Sequence, residues 1–137
     1  MLALLKKWFL GTQEIQSPKP RIKSSDIVYS PQTGTITISN LPLGTWLTTV
    51  QDTNSMDPVF DYGHILILTP VEDYSDLQVG DIVVYQASGS SIIHRIISIT
   101  VKDGKRHYRC KGDNCASADP YDITDENITY LYRGHLI

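Results

Sequence analysis

Four side chains in this sequence have the types that acyl-transfer chemistry uses: Ser55 in DTNSMDPVF, His94 in SSIIHRIISI, and Asp113 and Asp119 in RCKGDNCASADPYD. A serine hydroxyl is a weak nucleophile and needs a base beside it. A histidine titrates near neutral pH, so it can accept the hydroxyl proton and hand it to a leaving amine. A carboxylate behind the histidine fixes its tautomer and stabilises the imidazolium as it forms. Each residue also has a plainer role. A serine before a turn is usually a cap, Gly112-Asp113-Asn114 and Asp119-Pro120 are turn chemistry, and His94 could be a satisfied strand histidine. The acids lack calcium-loop spacing, and two cysteines are too few for a four-ligand zinc site. The chemistry requires no metal and no organic cofactor.

The elements that must position these groups read as strands. DIVYS and TITIS flank Pro-Gln-Thr-Gly, a hairpin turn, and TWLTTVQ, HILILTP, DIVVYQ, SIIHRIISITV, RHYRCK and NITYLYRGHLI follow. Asp103-Gly104 between two β runs is a strong hairpin signal. With period two, Ile92, His94 and Ile96 share one face of their strand, and Ile93, Arg95 and Ile97 the other. A histidine and an arginine in a run of isoleucines are costly unless both have partners. Ser55 follows a β run, and Pro58 suits the first turn of a helix or a tight turn. Such a junction presents a hydroxyl with backbone N–H groups near it, the ingredients of a nucleophile and an oxyanion site. The expectation is a mostly β domain over residues 26–137, a coiled, partly closed antiparallel sheet of seven to nine strands.

Residues 1–25 differ in texture. MLALLKKWFL forms a short amphipathic helix by its pattern, placing Leu2, Leu5 and Phe9 near one face, and suits a membrane surface, a partner protein or the chain's own domain. Lys6 and Lys7 break its apolar run and no small-residue cleavage site follows, so it is a poor secretory signal. No stretch reaches the roughly 20 apolar residues of a membrane span. TQEIQSPKPRIKSS reads as a linker or extended arm. The 137 residues carry a net charge of -3, with no basic stripe for phosphates, so no nucleic-acid partner is expected.

The order of these motifs says more than any one of them. NSMDPVFDYGHILILTPVEDYSDLQVGDIVVYQ, then IIHRI, then KGDN with a later Asp resembles the catalytic domain of type I signal peptidases from Trp46 to Gly134. The likeness is to the archaeal and endoplasmic-reticulum branch, which has histidine where typical bacterial enzymes have lysine. The resemblance implies Ser55 as nucleophile, His94 as general base, Asp119 as third triad member and Asp113 as a supporting carboxylate. It places Thr53 where a hydroxyl assists the Ser55 N–H in binding the oxyanion, and such donors lower the barrier by about 3 kcal/mol. The implied substrate is an extended peptide or preprotein with small residues before the scissile bond, paired to a strand edge.

The sequence departs from that family in having no membrane-spanning helix ahead of the serine block. Asn54 stands where a small residue such as glycine is common, and Asn tolerates unusual backbone angles. His64 replaces the usual aspartate and is peripheral to the triad. Cys110 and Cys115 bracket the Asp113 turn; free thiols are expected, and a disulfide in an oxidising compartment is the alternative. Asn127-Ile128-Thr129 is a glycosylation-type triplet of a kind common by chance. Two other readings remain. One is a non-catalytic binding or assembly module retaining this fold. The other is a relative of the self-cleaving repressors, which use a Ser-Lys pair absent here.

Overall fold

The computed structural model describes residues 15–137. The amphipathic helix expected over residues 1–10 lies outside the described residues. Nine strands form among the described residues: β1 (Ile27–Ser30), β2 (Thr35–Ile38), β3 (Trp46–Thr48), β4 (Ile65–Pro70), β5 (Ile82–Ala87), β6 (Ser90–Lys102), β7 (Lys105–Lys111), β8 (Ile123–Thr124) and β9 (Ile128–Leu136). Three single 3₁₀ turns, Ser24–Asp26, Tyr74–Asp76 and Asp125–Asn127, complete the regular structure of the described residues. The mostly β expectation is borne out. No helix of the described residues is long and apolar enough to cross a membrane.

β1 and β2 pair as a separate hairpin, and the other seven strands make one antiparallel sheet in the order β3-β4-β9-β5-β6-β7-β8. Among the described residues β3 and β8 are its edges, and their hydrogen bonding does not close this sheet on itself. The tight turns carry the residues their backbone demands. Asp103 and Gly104 joining β6 to β7 have φ of 52° and 74°, the left-handed pair of a two-residue hairpin.

The run Ile82-Val83-Val84-Tyr85 on β5 lacks the polar alternation of a half-exposed strand because both its faces are covered. Val83 and Tyr85 pack with Ile96, Tyr108, Cys110 and Leu131. Ile82 and Val84 pack on the other face with Met56, Phe60, Leu66, Leu68 and Tyr132. Truncating one of these buried aliphatic side chains to alanine costs about 2–5 kcal/mol. Met56, next to Ser55 in sequence, is 2% exposed, so the Ser55 loop is pinned by its neighbour in the core.

β6 divides as its period predicts. Ile92 and Ile96 pack in the Tyr85 cluster, and Ile93 against the Met56 cluster. His94 is the cross-strand partner of Val83 and shares its face. Arg95, on the opposite face, pairs with Ile82 on one side and Lys111 on the other.

Candidate active site

The site forms where three segments meet: the loop after β3 carrying Ser55, the middle of β6, and the loop from Gly112 to Asp119 after β7. Asn54 has φ 56°, the left-handed region that glycine occupies most easily and asparagine tolerates. Oriented to suit its neighbours, its side-chain amide donates to Asp61 Oδ2 at 3.1 Å and Asp52 Oδ1 at 3.2 Å. The turn therefore has a reason to carry Asn. Thr53 Oγ1 donates to Ser55 Oγ at 3.3 Å, which puts the threonine hydroxyl beside the serine hydroxyl.

His94 Nδ1 lies 2.7 Å from Asp119 Oδ2. Both side chains are largely sheltered, at 12% and 11% exposure, in surroundings where a charge-assisted hydrogen bond is strong. The Asp119 backbone N–H donates to the Cys110 carbonyl at 2.8 Å, tying the carboxylate's loop to the end of β7. Tyr85 Oη also donates to Asp119 Oδ2, at 2.6 Å. Burial, and then the hydrogen bond to Asp119, raise the Tyr85 pKa above the ordinary phenol value. Tyr85 is therefore a neutral, permanent donor to the oxygen that faces His94.

Asp113 has a different partner. It takes a two-pronged pair from Arg95, Nε to Oδ1 at 2.8 Å and Nη2 to Oδ2 at 2.6 Å, with both side chains at most 5% exposed. The two acids suggested by the motif thus separate: Asp119 meets the histidine and Asp113 meets the arginine.

The Asp113 loop also holds the serine loop. Asn114 N donates to the Ser55 carbonyl and Asn114 Nδ2 to the Asn54 carbonyl, each at 3.0 Å. Gly112 marks the closest approach. A Cβ there would sit 2.6 Å from the Ser55 carbonyl oxygen, 2.6 Å from Cys115 Sγ and 2.9 Å from His94 Nε2. That one missing methyl group lets His94 Nε2 and the Ser55 carbonyl oxygen approach the same point. Among the described residues the hydrogen-bond partner of Ser55 Oγ is Thr53.

The remaining candidates fall as follows. His64 stacks on His135, ring centroids 5.3 Å apart and 8° from parallel, away from the His94–Asp119 pair in the hydrogen bonding. Cys110 and Cys115 are free thiols. Burial, and then the Asp119 charge, push the Cys110 thiol up to about 12, so it stays protonated at neutral pH. Tyr85, Asn114 and the packing role of Gly112 escaped sequence reasoning. Tyr85 looks like any core aromatic of a buried strand, and nothing local distinguishes the other two from ordinary turn residues.

Comparison with known proteins agrees with the motif order. No family profile matches the chain. Signal peptidase I W of Bacillus subtilis (strain 168) is 35% identical over 81 residues, 58% of this chain and 43% of that protein. The signal peptidase complex catalytic subunit SEC11 of Metarhizium acridum is 34% identical over 85 residues, 61% of this chain and 49% of its own. The corresponding subunit of Komagataella phaffii is 33% identical over 111 residues, 76% and 57% of the two chains. The chain spans about half the length of the curated relatives it matches. It is a relative of the type I signal peptidases, and its matches to SEC11 subunits lie in the endoplasmic-reticulum-like branch of that family.

Proposed function

We propose that this chain is a serine endopeptidase of the signal-peptidase kind, with Ser55 as nucleophile, His94 as general base and Asp119 as its orienting carboxylate. One observation carries the reading: His94 Nδ1 is bonded to a sheltered carboxylate while Nε2 faces the Ser55 backbone across Gly112. The relatives' names point the same way.

In this mechanism Ser55 Oγ attacks the carbonyl carbon of the scissile peptide while His94 Nε2 takes the Oγ proton. The carbonyl oxygen becomes an oxyanion, received by the Ser55 N–H with Thr53 beside it. The C–N bond then breaks, and the imidazolium returns its proton to the departing amine. Water attacks the ester, His94 accepts the water's proton, and Ser55 Oγ leaves with it. Asp119 holds the Nδ1–H throughout and stabilises the imidazolium as it forms. Asp113 acts only by holding its loop. Tyr85→Phe removes one of two hydrogen bonds on Asp119 Oδ2. It is expected to lower kcat about tenfold with KM little changed, as read by steady-state kinetics.

The domain responsible is residues 26–137, preceded by the amphipathic segment and arm of residues 1–25. SEC11 relatives are by name subunits of a complex. By their amphipathic pattern, residues 1–10 serve this chain as a peripheral contact to a membrane or a partner protein. The substrate is an extended peptide or preprotein with small residues ahead of the scissile bond. The test is specificity. A signal-peptide-derived peptide with an Ala-x-Ala site is expected to be cut after the second Ala, and the same peptide with Phe at that Ala to be spared. Equal cleavage of both peptides would refute the small-residue preference.

A further inference from the structure

Residues 15–21, which read in sequence as linker, are bolted to the domain behind the site. Arg95 is 4% exposed and makes four hydrogen bonds from its five N–H groups. Two go to Asp113. Nη1 supplies the other two, to the Gly80 carbonyl at 2.9 Å and to the Gln16 carbonyl of the arm at 3.0 Å. The arm lies directly on Gly80. A Cβ at that position would meet the Ser17 carbonyl oxygen at 2.5 Å, Gln16 Cγ at 2.8 Å and the Gln16 carbonyl oxygen at 3.0 Å.

A second anchor lies farther along the arm. The Arg21 guanidinium, 6% exposed, pairs with Asp76 and with Asp81, which is fully buried at the foot of β5. Asp81 Oδ2 also accepts from Gln78 N at 2.9 Å, and the Asp81 carbonyl accepts from Ile96 N at 2.8 Å, one residue past Arg95. The Arg21 carbonyl accepts from Arg133 Nη1 at 3.2 Å. A buried carboxylate needs its cation, so Arg21 fixes where the arm runs.

We infer that the arm is part of the active-site scaffold: anchored by Arg21 on Asp81, it supplies through Gln16 the last partner of Arg95, and Arg95 thereby positions the Gly112–Asn114 loop against Ser55. Gln16 and Arg21 are positioning residues that touch no substrate. The inference rests on the catalytic reading of Ser55 and His94 only for its kinetic consequence; the coupling itself is a property of the folded chain. It also gives the segment ahead of Ile15 a route to the site, since a pull on the arm reaches Ser55 through three consecutive contacts.

The experiment uses the full chain and two variants that loosen the arm from opposite sides. Arg21→Met with Asp81→Asn removes the anchor without leaving a buried charge unpaired. Gly80→Ala presses on Gln16 and Ser17 from beneath. Gly34→Ala is the control, having a similar positive φ of 66° but nothing within 4 Å. Amide chemical shifts and hydrogen exchange at Gly112, Asp113 and Asn114 provide a readout that needs no cleavage. In both arm variants these amides are expected to shift and to exchange at least about tenfold faster, while Gly34→Ala leaves them at wild-type values. kcat is expected to fall about tenfold to a hundredfold with KM within about twofold. Arg21→Lys, keeping the cation, is expected to restore most of both signals. Unchanged Gly112–Asn114 amides in either arm variant would overturn the inference, even if that variant is less stable. A wild-type chain that cleaves no peptide would count against the catalytic reading, and the exchange data would still decide the coupling.

Discussion

Replacing His94 with alanine is expected to lower kcat by about 10⁴-fold or more while leaving the fold in place. The size follows from the division of labour. Without the imidazole the proposed base is gone, and Asp119, which bonds His94 at 2.7 Å, stands behind the ring. Loss of one partly sheltered hydrogen bond costs about 1 kcal/mol, a shift of a few degrees in Tm, because Tyr85 still donates to Asp119 Oδ2. Circular dichroism and a melting curve on the same preparation as the kinetic assay separate the two effects. Undiminished cleavage by a folded His94→Ala chain would remove the histidine from the mechanism. A collapse in stability would make it a structural histidine.

The second large effect comes from a residue with no functional group. Gly112→Ala is expected to reduce kcat about 10²-fold and to cost about 1–3 kcal/mol of stability. All three atoms that the new methyl group meets lie within 2.9 Å of it, and one is the Ser55 carbonyl oxygen. That oxygen cannot retreat freely, because Asn114 N holds it at 3.0 Å. The methyl group must therefore displace His94 Nε2, the serine loop or Cys115, and the first two carry the proposed chemistry. Gly89→Ala separates contact from backbone strain: φ there is 76° with nothing within 4 Å, so it strains the backbone away from the site. Gly112 lies outside the left-handed region, and its methyl group acts by contact alone. Gly112→Ala with wild-type kcat would mean that the Ser55–Gly112–His94 proximity does not matter to turnover.

Most strands were legible because their residues carry the physical signal themselves. β6 reads as a strand from its β-branched run, and the Asp103-Gly104 turn ends it where a left-handed pair is required. β8 escaped because two residues make no period; Ile123 and Thr124 pair with Tyr108 and His107 only because the preceding loop returns the chain there. β3 is shorter than TWLTTVQ suggested, since only Trp46–Thr48 find partners on β4. At the site, the motif order marked Ser55, His94, Asp113 and Asp119 as candidates. Which acid meets the histidine depends on the path of one loop, and sequence spacing alone offered only a family likeness. One partner of Arg95, the Gln16 carbonyl, is 79 residues away in the chain, and no local pattern announces a bond of that span. Buried polar residues in an apolar run told that partners must exist; three dimensions were needed to say which.

The most direct test of the central claim is cleavage of the Ala-x-Ala peptide by the wild-type chain and by Ser55→Ala, in detergent, followed by mass spectrometry. Cleavage after the second Ala by the wild type alone is the expected result. Cleavage by neither, from protein shown to be folded, would contradict the account and favour a binding or assembly module that keeps the fold. Equal cleavage by both would contradict it differently, since Ser55 would then not be the nucleophile.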